Sequence, residues 1–145
     1  MKRKELLIAL GVVCLVIAGF GCYNFLRNNN VTSGEEIIKY EEDLLGISFS
    51  KYVEKVTGEI HRTSGQEDYA KVIFAINSNK KDELERELKE KMNYDDRDLY
   101  KDYFDEDGSL INIYQSFLSG KIAKTREVIC FLYEKNNRYY LKIVG

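Results

Sequence analysis

The feature that most constrains this chain is an uninterrupted apolar run close to its beginning. The residues of Leu6–Leu26 carry no charge, and they follow three basic residues at positions 2 to 4. A helix rising about 1.5 Å per residue would span roughly 30 Å over this run, which is the hydrocarbon thickness of a bilayer. The sequence therefore predicts a transmembrane helix within residues 1–27, with the N-terminus on the cytoplasmic side by the positive-inside rule.

The sequence leaves three fates open for this segment. Gly19 and Gly21 precede Cys22 at the spacing of small residues that a signal peptidase requires, so a cleaved export signal is one alternative. Lipidation of Cys22 is a second; Gly21 suits a lipoprotein signal, whereas Gly19 and Phe20 depart from it. Because the run continues past Cys22 without a polar break, an uncleaved anchor is favoured.

The rest of the chain, about 115 residues, is enough for one domain and not for two. From Asn28 onward it holds 23 acidic and 18 basic residues, which leaves a net charge of −5. A nucleic-acid partner is not expected, because neutralising phosphates needs a basic stripe. Cys130 is the only cysteine outside the apolar run, so no disulfide is expected in this part, and its apolar neighbours predict a buried thiol.

A polar spacer at positions 28–33 separates the apolar run from the domain expected over residues 34–145. Ser33 and Glu36 have the spacing of a capping box. Apolar residues then recur on one stripe until Gly46, with Tyr40 or Glu41 in the middle of that stripe. The pattern predicts a helix over residues 35–45.

Two strands are predicted next. Residues 52–63 alternate between apolar and polar positions, which is typical of a half-buried strand. Tyr69–Ile76 is apolar on both faces except at Lys71, which predicts a more central strand. The polar residues 64–67 between them predict a turn.

The second half of the domain predicts one more helix and a hairpin. Apolar residues at positions 84, 88 and 92 predict a helix over residues 80–92 with a solvated charged face. Arg126–Tyr133 and Arg138–Val144 predict a C-terminal hairpin with its turn at 134–137. Residues 110–118 fit either a strand or a short helix. The predicted fold is α+β: an antiparallel sheet of about four strands with two helices packed on it.

An acidic and aromatic stretch lies between the second helix and the hairpin. Aromatic side chains dominate interface energies and acidic rims attract basic partners, so this stretch is the candidate partner surface. The alternative interpretation, which the residue types favour, is that Tyr100, Tyr103 and Phe104 pack beneath the helices. The predicted contact residues are Tyr94, Asp95, Asp96, Asp98, Tyr100, Asp102, Tyr103, Phe104, Asp105 and Asp107.

Part of this stretch, DEDG at 105–108, resembles a calcium loop. With Gly108 at loop position six, Tyr103 and Tyr114 fall at positions one and twelve, where an EF-hand needs carboxylates. An EF-hand is therefore not predicted, although a looser calcium contact stays an alternative. No cofactor or metal is expected.

The sequence offers little catalytic apparatus. His61 is the only histidine, and the strand pattern places it on a polar face. Cys130 lies in an apolar strand, which raises a thiol pKa and makes a Cys130–His61 nucleophilic pair a poor candidate. Phosphate loops, serine-nucleophile elbows and CxxC motifs are absent from the sequence, so an enzyme is not expected.

With its anchor, capped helix, paired strands, charged helix and terminal YYLKIVG, the chain resembles small membrane-anchored or lipoprotein-type proteins of unassigned function from Gram-positive bacteria with AT-rich genomes. The resemblance rests on architecture, and it implies a cell-surface location. We therefore expect a non-enzymatic, single-pass membrane protein whose extracytoplasmic domain binds another envelope protein or peptide. One version is an immunity-type protein that neutralises a basic toxin. The alternative is a domain that senses a small ligand or calcium at the cell surface.

Overall fold

The computed structural model describes residues 3–27, 30–62, 69–94, 98–119 and 125–145, and it divides the chain into two compact units, Met1–Asn30 and Val31–Gly145. The first unit is the helix α1, Arg3–Arg27. Its large apolar side chains between Leu7 and Tyr23 are each more than half exposed. Over the described residues, no helix combines the length and the apolar character needed to cross a membrane.

The second unit contains two α-helices and an antiparallel sheet. Within the described ranges the sheet has six strands in the order β1-β2-β6-β5-β4-β3. The predicted α+β class with an antiparallel sheet is confirmed. The expected number of about four strands is too low, because residues 110–118 form a strand and a two-residue strand pairs beside it. The elements are α2 (Gly34–Leu45), β1 (Val53–His61), β2 (Tyr69–Ile76), α3 (Lys81–Lys91), β3 (Asn93–Tyr94), β4 (Ser109–Ser119), β5 (Thr125–Lys135) and β6 (Arg138–Val144).

The second unit begins at Val31, inside the spacer predicted over positions 28–33. The Val31 N–H donates to the Ile60 carbonyl at 2.9 Å, and the Ile60 N–H donates back at 3.0 Å. Val31 is also buried. The folded unit therefore starts three residues before position 34, and residues 28–29 lie outside the described part of the chain.

The ends of α2 match the sequence pattern in part. Gly46 ends the helix as predicted, in the left-handed conformation with φ of 68°, and its N–H donates to the Glu42 carbonyl. Ser33 occupies the N-cap position, but its side chain makes no capping hydrogen bond, so the predicted capping box is wrong. The Ser33 carbonyl instead accepts from the Ile37 N–H at 2.9 Å, so this residue begins the helix through its backbone.

The predicted helix α3 is confirmed. Leu84, Leu88 and Met92 are buried on one side, as their spacing predicts. Before the helix, the Asn77 side chain accepts from the Asn79 N–H at 3.0 Å and so caps the short 3₁₀ turn that leads into it.

The C-terminal hairpin is also confirmed, with a shorter turn than predicted. Asn136 and Asn137 alone join β5 to β6, and both have positive φ, 53° and 60°. Two such residues match the right-handed twist of a hairpin, and asparagine tolerates this conformation. The turn predicted at 64–67 lies outside the described residues.

Alternation along the central strands creates two different sheet faces. The core face packs against both helices, with Ile37 from α2 and Leu84 from α3 in the same apolar cluster as the sheet residues. The opposite face, here called the second face, buries Phe131, Tyr133 and Lys142 outside that cluster. The core-face residues of the central strands are Ala70, Val72, Phe74, Ile76, Val128, Cys130, Leu132, Leu141 and Ile143.

Candidate binding surface

The acidic and aromatic stretch lies across the second face of the sheet. Its described part, residues 98–107, is here called the crossing segment, and it begins with a 3₁₀ helix over Asp98–Tyr103. Near its start, Tyr100 bonds to Glu127 on β5. Near its end, Asp105 bonds to Lys142 on β6 and lies 3.7 Å from the ammonium of Lys71 on β2. The segment therefore spans three neighbouring strands.

Lys142 binds the end of the crossing segment to the sheet. Its side chain is only 2% exposed, in the middle of β6. Its Nζ donates to Asp105 Oδ1 and, at 2.7 Å, to Glu106 Oε1. Burial disfavours the charged ammonium, but the bonds to both carboxylates outweigh it and raise the pKa of Lys142. The hydrogen bond from Lys142 in turn lowers the pKa of Asp105.

Aromatic packing adds to this attachment. The Phe104 ring centroid lies 5.8 Å from that of Phe131 and 5.1 Å from that of Tyr133. Tyr133 also stacks on Tyr140 at 5.4 Å. Burial, followed by the charge of Glu106, raises the pKa of Tyr133 to about 12. Phe104 thus packs on the second face and not beneath the helices, which corrects the alternative interpretation for this residue.

The start of the crossing segment forms a hydrogen-bonded group with β4 and β5. The Tyr100 hydroxyl donates to Glu127 Oε1 at 2.5 Å. Gln115 Nε2 donates to the Tyr100 oxygen at 2.6 Å and also to the Glu127 carboxylate. The Tyr100 hydroxyl and the Gln115 amide are neutral donors, so they orient the Glu127 carboxylate without cancelling its charge.

Two exposed aromatic side chains stand beside this group. The Tyr103 ring lies 6.2 Å from the Tyr100 ring and is 70% exposed. Phe117 on β4 is the cross-strand partner of Glu127 and is 58% exposed. We call Tyr100, Tyr103, Phe117 and Glu127 the aromatic patch. Exposed rings beside an oriented carboxylate can bind apolar surface and cationic groups.

The structure divides the residues predicted as partner contacts. Tyr100 and Tyr103 belong to the aromatic patch, and Asp102 is exposed between them in sequence. Phe104 and Asp105 contact the sheet beneath them. The predicted residues are thus not one uniform surface.

The remaining predicted residues are not members of the aromatic patch, and two of them lie outside the described residues. Asp107 is exposed and lies 3.3 Å from the Lys135 ammonium. Tyr94 is in β3, and Asp98 begins the 3₁₀ helix. Asp95 and Asp96 lie outside the described residues.

The carboxylates of this segment that could bind calcium are already paired with lysine ammoniums. Asp105 and Glu106 share the Lys142 ammonium, and Asp107 contacts Lys135. In the described ranges, no group of three or more acidic, histidine or cysteine residues has the arrangement to hold a metal. A calcium ion here would have to displace lysine ammoniums.

The two residues of the Cys130–His61 pair lie in different environments. Cys130 is fully buried on the core face, and burial together with the charge of Glu41 raises the pKa of its thiol well above the ordinary value. His61 lies at the end of β1, with its Nε2 2.9 Å from Glu59 Oε1. Its cross-strand partner is the exposed Tyr69. The pair that the sequence made a poor candidate is therefore not assembled.

Among the described residues, a groove beside α2 is large enough for a small ligand. Its volume is about 700 Å³, within the usual range of small-molecule sites. The Arg62 guanidinium lies 5.6 Å from the Tyr40 ring centroid on its wall. Small-molecule sites are lined mainly by apolar side chains, whereas this groove is mostly charged. Its lining residues are Glu36, Lys39, Tyr40, Asp43, Leu44 and Arg62.

Sequence reasoning missed half of the aromatic patch. Alternation within β4 places Ile113, Gln115 and Phe117 on one face, and this signal was present in the sequence. The pairing of Phe117 with Glu127 depends on the register between β4 and β5. No local pattern contains that register.

No protein-family model, curated protein or solved structure matches this chain. A fold alone does not determine a function, because function resides in the site that the fold carries. The aromatic patch and the contacts around it are therefore the basis for a functional proposal.

Proposed function

We propose that this protein is a non-enzymatic, membrane-tethered domain that binds another envelope protein or peptide through the aromatic patch. The observation that carries the proposal is the exposure of Tyr103, whose ring lies beside that of Tyr100, and of Phe117, the cross-strand partner of Glu127. Large aromatic side chains supply much of the energy of interfaces, and a neighbouring charge adds orientation and faster encounter. Two exposed rings grouped around one hydrogen-bonded carboxylate are more than the scattered apolar residues of an ordinary surface.

The N-terminal segment is the proposed tether. The uncharged run at Leu6–Leu26, which follows a basic cluster, supports this role. The large apolar side chains of α1 are each more than half exposed, and exposed apolar side chains in such number are normally covered by lipid or protein. With the N-terminus inside, Val31–Gly145 would lie outside the cell membrane.

A binding role is also supported by the state of the reactive groups. The thiol of Cys130 is buried in the core, and its raised pKa keeps it protonated. The Lys142 ammonium is held by two carboxylates and is not available as a base. These groups stabilise the fold, which leaves the surface patch as the feature to be explained by function.

Photocrosslinking in the native envelope tests the binding surface. A benzoylphenylalanine residue placed at Tyr103 or at Phe117 should give the same discrete adduct. The control is Tyr40, which is partly exposed on α2 and therefore lies on the opposite side of the sheet from the patch. An adduct at positions 103 and 117 but not at 40 supports the proposal. No adduct, or equal labelling at all three positions, overturns it.

Alanine variants of the captured complex measure the energy at the patch. Phe117→Ala and Tyr103→Ala should each weaken binding of the crosslinked partner about tenfold or more, because buried aromatic anchors are typical hot spots. Tyr40→Ala, on the opposite side of the sheet, should leave the affinity unchanged. Binding that survives both patch variants would place the partner surface elsewhere.

Intact mass of the membrane-extracted protein tests the tether. A full-length mass supports an uncleaved anchor. A mass that begins at Cys22 and is increased by acyl chains supports a lipoprotein held at the same membrane. A shortened mass without acyl chains would contradict the tether while leaving the binding surface intact.

A further inference from the structure

The sheet edge beside the aromatic patch has an unusual composition. The 11 residues of β4 include no charged side chain. On its outer side, the described pairs join only Gln115 and Tyr114 of β4 to β3. Ser116–Ser119 pairs with β5 on the inner side and, within the described ranges, with no strand on the outer side. Among the described residues no strand occupies its outer backbone groups, and an added strand could bind there.

The opposite edge of the sheet is protected by comparison. β1 carries the charged residues Glu54, Lys55 and Glu59. Val31 pairs with Ile60 and covers one end of the strand. Gly58 has φ of 111°, which distorts the strand between these points. Charges, bulges and covering segments are the means by which sheets prevent unwanted pairing, and β4 lacks the charges.

The position of the patch relates this edge to a partner. Phe117 lies in the open stretch and projects onto the second face beside Glu127. A strand added along Ser116–Ser119 would place alternate side chains on the same face as Phe117, about 5 Å from it. A long cationic side chain at that position would reach both the aromatic rings and the Glu127 carboxylate.

We infer that the Ser116–Ser119 edge accepts an extended, basic segment of the partner protein as an added strand, with a lysine or arginine side chain on the aromatic patch. This inference rests on the proposed function and specifies its partner. The net charge of −5 from Asn28 onward is complementary to a basic segment. Main-chain bonds would supply affinity, and the patch would select the cationic side chain.

Charge also decides against a second copy of this chain as the occupant. Two β4 edges related by a twofold axis would bring the second faces side by side. Because β4 contains no lysine or arginine, a second copy paired through this edge would bring no cationic side chain to the patch. A basic segment of another protein would supply one.

Peptide binding to the full-length chain in detergent micelles tests the inference. One probe is a labelled hexapeptide of alternating lysine and valine, and the other is the same peptide with glutamate in place of lysine. Fluorescence anisotropy measures the binding of each. The lysine peptide should bind about tenfold more tightly or better, because its charge is complementary. Glu127→Gln should reduce that preference several-fold, whereas Asp107→Asn, which changes an exposed carboxylate paired with Lys135, should not.

N-methylation of the lysine peptide tests strand addition without risk to the protein fold. Methyl groups on one alternate set of amides should abolish binding, because those N–H groups face β4. Methyl groups on the other set should leave binding nearly unchanged, because alternate amides of a strand point to opposite sides. Unchanged binding of both methylated peptides would overturn the added strand.

Two other results would also overturn the inference. Equal affinity for the lysine and glutamate peptides would remove the basic partner. A concentration-dependent dimer in sedimentation experiments, lost in Phe117→Ala, would make a second copy the occupant. Photocrosslinking separates these failures from the proposed function: a discrete envelope adduct at Tyr103 and Phe117 would keep the binding module, and its absence would remove both.

Discussion

The two faces of the sheet are covered in physically different ways. On the core face, α2 and α3 bury aliphatic side chains such as Ile37 and Leu88 against the sheet. On the second face, the crossing segment is held by the carboxylates that bind Lys142 and by the Phe104 ring. Apolar burial responds little to pH or salt, whereas partly exposed ion pairs respond to both.

One face of the sheet is therefore covered by packing that changes little with pH or salt. The other face is covered by a segment whose attachment depends on both. The aromatic patch belongs to the second cover, because Tyr100 and Tyr103 are part of the crossing segment. Changes that loosen this segment should therefore affect partner binding before they affect global unfolding. Four substitutions or conditions test this contrast, in order of decreasing effect on stability.

Phe74→Ala should give the largest loss, because it removes a fully buried ring from the core face. Its centroid lies 5.2 Å from the Phe49 ring, so the substitution leaves a cavity between two elements. We expect a loss of about 3–5 kcal/mol in the free energy of unfolding, measured by urea denaturation with circular dichroism. Phe117→Ala is the control and should change stability by less than about 0.5 kcal/mol. Comparable losses in the two variants would contradict the contrast.

Removing both anions from Lys142 should give the next largest effect. In Asp105→Asn/Glu106→Gln, the buried ammonium keeps its charge without a carboxylate, and we expect a loss of stability smaller than that of Phe74→Ala. Lys142→Met in the same background should recover most of that loss, because it removes the buried charge itself. Urea denaturation of the natural protein and the two variants measures the order, and a triple variant no more stable than the double would count against it.

Phe104→Ala should cost about 1–2 kcal/mol, because this half-buried ring packs on Phe131 and Tyr133. Hydrogen exchange should show faster exchange over residues 98–107 and little change in α3. Tyr103→Ala, which removes an exposed ring from the same segment, is the matched control and should leave exchange almost unaffected. Faster exchange spread evenly over both faces would mean that the two covers are not independent.

Acid should produce the smallest effect, and its sign follows from Asp105. Because the hydrogen bond from Lys142 lowers the folded pKa of this carboxyl, its contribution is complete above the ordinary value of 3.8 and is lost as pH falls through the lower folded value. On α3, burial raises the pKa of Glu87, but bonds from Tyr52 and Ser48 give a net decrease, so acid affects the core side too. The difference in urea midpoint between the natural protein and Asp105→Asn should therefore shrink below about pH 4. A constant difference would exclude Asp105 as its source.

Local patterns predicted most of the secondary structure. Tyr69–Ile76 and Arg138–Val144 have the bounds that the sequence predicted. Gly46 ends α2, and the spacing of Leu84 and Leu88 identified the buried side of α3. These features depend on residues close to one another in sequence, so periodicity and turn chemistry are sufficient to find them.

The local pattern was weaker where packing chooses between neighbours. In α2 the apolar stripe admitted Tyr40 or Glu41 at its centre, and the structure buries Glu41 completely. Tyr40 lies instead on the wall of the groove with Arg62. Hydrophobicity alone favours the opposite choice, so the position of α2 over the sheet decided it.

The sequence by itself determined the apolar N-terminal run, the α+β class and the buried environment of Cys130, because each depends on composition or on short-range periodicity. Only the tertiary structure decided that Lys142 is buried and that Phe117 meets Glu127. Lys142 is covered by carboxylates 36 and 37 positions earlier in the chain. Strand register and the path of a crossing segment are set by contacts between distant residues, so no local pattern contains them.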